Sequence, residues 1–251
     1  MIPFFRKIRQ SLLTENRLRK YLLYAIGEIV LVVIGILIAL TISTWNEKKK
    51  DRELEVFALN SLYEELSGNE KELKKTMEYH QRSTSALVRL MAIDSENYAT
   101  FPNATLDSLL GEAQWAWTFN PKMGVIKSIL STGHIKNIHN PELRMFITSF
   151  EDMVDDGREE SAMNNKLIVE QFVPLVNRYV GEGSRGKYLG FDVKESRFEP
   201  NYRDLFSNRE FESLIAYMIL WRQDQQSEEI EVHKSILTGL SILEEELKKY
   251  H

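Results

Sequence analysis

The alternation of apolar and polar positions divides the chain into one apolar run and a long body of amphipathic segments. Residues 21–44 contain a single charged side chain, Glu28. A helix rises about 1.5 Å per residue, so roughly 20 residues cross a hydrocarbon core about 30 Å thick. The run therefore predicts one transmembrane helix. Tyr21 and Tyr24 near its start and Trp45 just past its end are expected at the membrane interfaces, where amphipathic rings are favoured.

One face of the predicted helix carries small residues at a regular spacing. Gly27, Gly35 and Ala39 share this face with Leu31, because side chains four residues apart lie one above the other on a helix. Small residues let helix backbones approach closely, so the face predicts contact with a second copy or with another membrane protein. Glu28 lies beside this face. Its carboxylate either stays near the headgroups or is protonated, or it pairs with a donor on a partner helix.

The charges that flank the run predict its orientation. Residues 1–20 carry six basic side chains and one acidic side chain, and the other flank carries four basic side chains over residues 48–52. Basic residues in short flanks favour the cytoplasm. We therefore expect residues 1–20 as a cytoplasmic head, residues 21–44 as an inner-membrane span, and residues 45–251 as a periplasmic domain. The head is either an amphipathic helix on the inner leaflet or an ordinary basic flank.

Composition narrows the function classes. The chain holds 37 acidic and 32 basic side chains, and the basic excess is confined to the head. This distribution argues against nucleic-acid binding, which needs a basic face. The chain contains no cysteine, so no disulfide framework is expected.

Helical periodicity continues through the body. Residues 46–90 contain no proline and carry an apolar seam at three- and four-residue steps. The seam comprises Leu59, Leu62, Leu66, Leu73, Leu87 and Leu90, and its polar positions are Asn69, Thr76, His80 and Ser83. Asn-Pro pairs at residues 120–121 and 140–141 predict two helix starts. Gly133 is expected to end the first of these helices in a left-handed cap.

A last amphipathic helix is predicted from about residue 208 to residue 250. No stretch alternates with a period of two, so we expect essentially no sheet. Long amphipathic helices bury their apolar stripes on one another. The predicted fold class is therefore all-α, with a single N-terminal transmembrane helix that continues into an extracytoplasmic antiparallel bundle. We expect the first and last long helices to pair.

Three sequence features suggest chemistry, but each is incomplete. Residues 181–186 match G-x-G-x-x-G, but they follow a helix, so we expect a flexible loop. His80 and His233 lie on the helices predicted to pair and can approach each other, but no Glu-x-x-His motif accompanies them. Ser131 and His134 have no recognisable orienting group. We therefore predict no catalytic residue, no cofactor and no metal ligand.

An aromatic cluster precedes the first Asn-Pro pair. It consists of Trp115, Trp117 and Phe119. We expect these rings to pack in the core, and the alternative is a partner or ligand groove with aromatic anchors.

Three segments carry a resemblance to a known group of proteins. They are Tyr-Leu-Leu-Tyr-Ala-Ile-Gly-Glu with the apolar run from residue 21, Trp-Asn-Glu at residues 45–47, and Thr-Phe-Asn-Pro at residues 118–121. The chain resembles single-pass membrane proteins of Gram-negative bacteria that form a domain of unknown function. Thr41 stands where that group usually has a polar amide. The resemblance implies topology and fold, but it implies no activity.

Three hypotheses for the function follow. The leading one is a non-enzymatic, membrane-anchored helical interaction or scaffold module. It would contact the lipid bilayer and would work through helix–helix contacts, as a homo-oligomer or with another membrane protein. The second is a ligand sensor that signals through a partner. The third is an enzyme of unrecognised type.

Overall fold

The computed structural model describes residues 18–190, 192–194 and 196–250, and it omits the side chains of residues 18–21 and 189. The amphipathic head considered for residues 1–20 lies almost wholly outside the described residues. No described residue lies in a strand. The long helices pack like a bundle, so the all-α fold class is confirmed.

The helices fall into long and short elements. The long ones are α1 (Leu18–Met91), α4 (Pro141–Leu167) and α8 (Arg209–Lys248). The short ones are α2 (Asn103–Ala113), α3 (Gly124–Ser131), α5 (Val173–Val176), α6 (Glu182–Gly186) and α7 (Tyr202–Phe206). Short 3₁₀ helices lie at Tyr98–Thr100, His134–Asn137 and Lys187–Leu189. A π-helical turn at Ile168–Phe172 joins α4 to α5.

The chain divides into two compact units, Met1–Glu55 and Val56–His251. Among the described residues, α1 is the one helix long and apolar enough to cross a membrane. Its most apolar window has a mean hydropathy of 2.8, and none of that window is buried. A candidate membrane helix is therefore present where the sequence predicts one.

The second unit is an antiparallel bundle in which α8 contacts both α1 and α4. The Tyr63 hydroxyl donates to Glu244 Oε1 over 3.0 Å, and Gln226 Nε2 donates to Thr84 Oγ1 over 3.0 Å. The residue nearer the end of α1 contacts the residue nearer the start of α8, so the two helices run antiparallel. The predicted pairing of the first and last long helices is confirmed.

Two apolar clusters form the core of this unit. The first lies around the last turns of α1, helix α2, the segment after α4 and the first turns of α8, with Leu87, Leu110, Phe172 and Ile215 at its centre. The second lies around the middle of α1, helix α3, the first half of α4 and the second half of α8. Leu66, Ile126, Phe150 and Ile236 are fully buried there. Each of the three long helices therefore contributes to both clusters.

The start of α4 follows the Asn-Pro prediction. The Asn140 side chain accepts from the amides of Glu142 and Leu143 over 2.9 and 3.1 Å, with Pro141 in the first turn. Gly133 has a φ of 71°, the left-handed conformation expected of it.

The start of α3 departs from the prediction. This helix begins at Gly124 instead of following the Asn-Pro pair at residues 120–121. The amides of Val125 and Ile126 donate to the carboxylate of Glu65 on α1, over 2.8 and 3.2 Å. The Asn-Pro signal does not set the start of this helix, because a carboxylate from another helix accepts hydrogen bonds from the first-turn amides. Its negative charge also interacts favourably with the positive end of the helix dipole.

Glu246 ties the end of α8 to the cap of α4. Its carboxylate accepts from Asn140 Nδ2 over 2.7 Å and from Lys249 Nζ over 2.6 Å. These bonds, the first above all, hold the pKa of Glu246 below its ordinary value. A carboxyl with a lowered pKa stabilises the fold above its unfolded pKa, and this contribution disappears as the pH falls through the folded pKa.

We therefore predict that Glu246→Gln lowers the free energy of unfolding near pH 7 and has a smaller effect below about pH 4, near the unfolded pKa of a glutamate. Glu245→Gln is the matched control, because Glu245 is exposed. Urea unfolding of the full chain in detergent micelles across this pH range measures the difference. An effect of Glu246→Gln that does not change with pH would contradict the assignment.

Candidate functional site

A buried polar layer lies between the two apolar clusters. On α1, α4 and α8 alike, the apolar stripe is interrupted by polar side chains before it resumes in the other cluster. The buried members of the layer are Thr76, His80 and Ser83 of α1, Ser161 and Asn164 of α4, and Arg222, Gln225 and Glu229 of α8. Burying polar groups is costly unless they are hydrogen-bonded, so their bonds explain how the layer is tolerated.

The His80–Glu229 contact joins α1 to α8 in this layer. His80 is fully buried, and its Nδ1 lies 2.5 Å from Glu229 Oε1. Its Nε2 lies 2.9 Å from the carbonyl oxygen of Trp117. A carbonyl oxygen only accepts, so Nε2 carries a proton. A second proton must lie between Nδ1 and the carboxylate, because two unprotonated acceptors would repel each other at that distance.

Arg222 is the buried cation of the layer. Its Nη1 donates to Gln225 Oε1 over 2.8 Å, and its Nη2 donates to the carbonyl oxygen of Trp115. Burial lowers the pKa of Arg222 to about 10, and the negative charge of Glu229 opposes that shift. The guanidinium therefore stays charged at neutral pH, and Glu229 is the acidic group that compensates it.

Amide and hydroxyl groups connect α4 to the charged residues. Gln225 Nε2 donates to Ser161 Oγ over 2.9 Å, and Asn164 Nδ2 donates to Gln225 Oε1 over 2.9 Å. Asn164 also donates to the carbonyl oxygen of Trp221 over 3.2 Å. Hydrogen bonds in the layer thus join α4 to α8, and the His80–Glu229 contact joins α1 to α8.

A small cavity adjoins Glu229. Its volume is about 20 Å³, and its lining includes Leu73, Phe119, Arg158 and Ser161. Glu229 Oε2 is buried and has no hydrogen-bond partner among the described residues. A cavity of this size holds about one water molecule. The second carboxylate oxygen therefore has room for a single water-sized donor.

The segment after α2 presents its carbonyls to the layer and its rings to the surface. The ring of Trp117 stacks on Tyr79, with centroids 4.5 Å apart and planes 11° apart, and Trp117 is 41% exposed. Trp115 lies 4.5 Å from the same tyrosine. Phe119 alone of the predicted cluster is buried in the core. The expectation of core packing is therefore wrong for Trp117, because its carbonyl contact with His80 holds the segment with this ring outward.

His80 and His233, which the sequence allows to approach each other, contact different glutamates. His233 Nε2 lies 3.0 Å from Glu70 Oε1, while His80 pairs with Glu229. Each histidine thus contacts a glutamate of the opposite helix. Among the described residues, no group of three or more histidine, aspartate or glutamate side chains is placed to hold a metal ion.

The G-x-G-x-x-G segment is an ordered helical turn, and the expectation of a flexible loop is wrong. Most of the segment forms α6, and Arg185 is fully buried. Arg185 donates to Gln114 Oε1 over 2.9 Å, to Glu182 Oε2 over 2.7 Å, and to Asn177. Burial lowers the pKa of Arg185, and the charge of Glu182 opposes this shift. The buried arginine, which the glycine pattern concealed, fixes the segment against α2.

The predicted helix–helix face is exposed within the chain. Gly27, Leu31, Gly35 and Ala39 are all exposed, and Leu31 is 71% exposed. A Cβ added at either glycine would meet nothing within 4 Å. Glu28 is half-buried. The role of these residues in helix association stays a prediction.

The predicted interface anchors differ in exposure. Trp45 is 66% exposed and Tyr24 is half-buried. The backbone of Tyr21 belongs to α1, but its side chain lies outside the described residues. Their position at a membrane interface stays a prediction.

The sequence indicates three of the eight members of the polar layer, the ones on α1. His80 and its neighbours appear as polar positions in the seam of α1. The α4 members were missed, and so were Arg222 and Gln225 of α8. A signal was present: between Met218 and Val232 the buried positions of α8 are occupied by polar side chains. A gap of this length in an otherwise regular stripe, matched by a gap in a paired helix, predicts a buried polar layer.

We predict that Glu229→Ala lowers the free energy of unfolding by about 3–5 kcal/mol, because it leaves a buried imidazole and a buried guanidinium without their carboxylate. Glu229→Gln should cost less, since an amide oxygen can still accept. The matched control is Glu228→Ala at an exposed position, with an expected change within about 0.5 kcal/mol. Urea unfolding of the full chain in micelles measures these changes. Similar losses in Glu229→Ala and Glu228→Ala would contradict the role of the layer.

Comparison with known proteins identifies a family. The model of a family of unknown function, DUF6090, matches residues 28–155. The matched part includes His80, Trp115 and Trp117, whereas the α4 and α8 members of the polar layer lie beyond it. No curated protein and no solved structure matches the chain. Since the match covers half of the sequence, the chain belongs to this family of unknown function.

Proposed function

We propose that the protein is a membrane-anchored helical interaction module of the bacterial envelope. One observation carries the proposal: the most apolar window of α1 has a mean hydropathy of 2.8, and none of it is buried within the chain. Exposed apolar surface of this extent is unfavourable in water and favourable in a bilayer. The proposal assigns no reaction to the chain and no cofactor.

The orientation follows from charge. The basic residues 1–20 lie in the cytoplasm, the span crosses the inner membrane, and the bundle is periplasmic. The support for this arrangement is the excess of lysine and arginine before the span over that after it. A helical bundle that holds no disulfide is compatible with that compartment.

The module acts through helix–helix contact inside the bilayer. Gly27, Gly35 and Ala39 form a shallow face on which a second backbone can pack, with Leu31 at its centre. We assign this face to a second copy of the same helix, because two identical shallow faces are complementary across a two-fold axis. Another membrane protein is the alternative occupant.

A sensor is the second candidate function. The observation that favours it is the polar layer, where buried polar and charged side chains of three helices lie beside a cavity. Changing the charge or hydration of such a network changes the relative stability of helix arrangements. In this form the protein would pass its signal to a partner in the membrane.

Site-specific photocrosslinking in living bacteria tests the helix contact. A photoreactive residue replaces Leu31 on the small-residue face, and the matched control replaces Val33, which points to the opposite side of the helix. We expect a covalent homodimer adduct from position 31 and little adduct from position 33, as measured by immunoblot and mass spectrometry.

Other outcomes have clear meanings. An adduct from position 31 with a different membrane protein would replace the second copy by that partner. Equal, lipid-only labelling at both positions would contradict the proposed helix–helix contact. Adding Gly35→Ile to the Leu31 probe should reduce a genuine adduct, because a branched side chain on this face separates the backbones.

A further inference from the structure

The segment that connects α2 to α3, residues 114–123, lies against the polar layer and forms no helix or strand. Among the described residues, no backbone–backbone hydrogen bond joins residues 116–122 to the rest of the chain. Side chains therefore hold this connecting segment in place. A segment with few contacts opens locally at a lower free-energy cost than the whole fold.

Two buried cations of the polar layer hold the first part of the connecting segment. His80 Nε2 donates to the carbonyl oxygen of Trp117 over 2.9 Å, and Arg222 Nη2 donates to the carbonyl oxygen of Trp115. The two carbonyls are two residues apart and face the same side, as in an extended strand. When the segment separates from the layer, water replaces both acceptors, so each bond contributes only modestly to the closed state.

Amide side chains hold the rest of the connecting segment. Asn69 Nδ2 donates to the carbonyl oxygen of Lys122, and Asn69 Oδ1 accepts from the amide of the same residue, each over 2.8 Å. Asn165 Nδ2 donates to Thr118 Oγ1 over 3.1 Å. The donors thus come from α1, α4 and α8. They hold the segment at separate points and not along its whole length.

The connecting segment covers the buried carboxylate of the layer. Phe119 is 9% exposed and lines the small cavity together with Glu229. Asn69 and Ser83 donate to backbone carbonyls in the segment and directly before it, and Thr76 lies seven residues from each of them. Seven residues are about two helical turns, so these three side chains share one face of α1. Thr76, which is 1% exposed, therefore lies beneath the segment.

The apolar clusters depend little on the connecting segment. The first cluster contains none of its residues, and the second contains only Phe119 and, partly buried, Met123. Trp115 and Trp117 contact Tyr79 instead. Separation of the segment therefore leaves nearly all apolar contacts among the long helices in place.

We propose that the connecting segment is a lid over the polar layer, and that it opens as a unit while the three long helices stay packed. In the open state the carbonyls of Trp115 and Trp117 leave their donors, and water reaches Glu229 through the space that Phe119 occupies in the closed state. Lids are drawn from the least stable parts of a fold. This inference rests on neither function proposed above.

Thiol labelling of the full chain in micelles tests the lid, because the chain contains no cysteine of its own. Thr76→Cys places a thiol beneath the lid. The matched control is Ala86→Cys in the first apolar cluster, where Ala86 is 1% exposed. The probe is dithionitrobenzoate, and absorbance measures the rate. We expect the Thr76→Cys rate to depend little on urea and the Ala86→Cys rate to rise steeply with it, since only the latter requires unfolding of the bundle.

Two further substitutions separate lid opening from unfolding. Ile215→Val shortens a buried side chain of the first cluster. It should raise the Ala86→Cys rate by about two- to tenfold and leave the Thr76→Cys rate unchanged, because Ile215 keeps its contacts when the lid opens. Asn69→Ala removes two bonds of the closed lid and should raise the Thr76→Cys rate by about fivefold or more. Circular dichroism melting curves show that each variant is folded.

Three results would overturn the proposal. The first is the same urea dependence for Thr76→Cys and Ala86→Cys. The second is an equal effect of Ile215→Val on both rates. The third is a Thr76→Cys rate that Asn69→Ala leaves unchanged in folded protein. If Thr76→Cys does not fold, Ser161→Cys replaces it, since Ser161 lines the cavity that Phe119 covers.

Discussion

The contact between the His80 imidazole and the Glu229 carboxylate is the interaction on which the bundle depends most. It lies where both α1 and α8 change from one apolar cluster to the other, and it is buried with its partners. The negative charge of the same carboxylate also raises the pKa of Arg222, against the effect of burial. Glu229 is therefore the acidic group that contacts the His80 imidazole and whose charge opposes the effect of burial on Arg222.

Burying these polar and charged groups costs free energy, and the layer contributes by specifying one alignment of the helices. Replacing buried ion pairs with apolar residues is often neutral or stabilising, so stability alone does not explain the arrangement. Long helices with leucine-rich stripes can slide by one turn with little loss of apolar contact. A buried pair that matches only in one register penalises such slippage, as polar residues do in coiled coils. We infer that the layer fixes how α1, α4 and α8 align.

The sequence predicts the helices better than it predicts their polar contacts. The pairing of α1 with α8 follows from two long stripes that must be buried together, and Asn140 caps α4 because its cap is local. The start of α3 was misplaced because Glu65, distant in sequence, supplies the cap. Arg222 and Arg185 could not be recognised as buried, because a charged residue is expected at the surface unless its partners are known. Those partners come from other helices.

The face of α1 at Leu31 and the polar layer belong to different units of the chain. We propose the former for helix association in the bilayer. The polar layer lies between the two apolar clusters of the second unit. We infer that it holds the helices of this unit in one alignment.

Nitrogen-15 NMR of the histidine-labelled full chain in micelles tests this account most directly, since the chain has only five histidines. His80→Phe identifies the signals of His80. The account predicts a proton at each His80 ring nitrogen, protected from exchange with water, and a change in the Nδ1 signal on Glu229→Gln. A neutral ring with an unprotonated Nδ1, or rapid exchange of both protons, would contradict the buried His80–Glu229 pair.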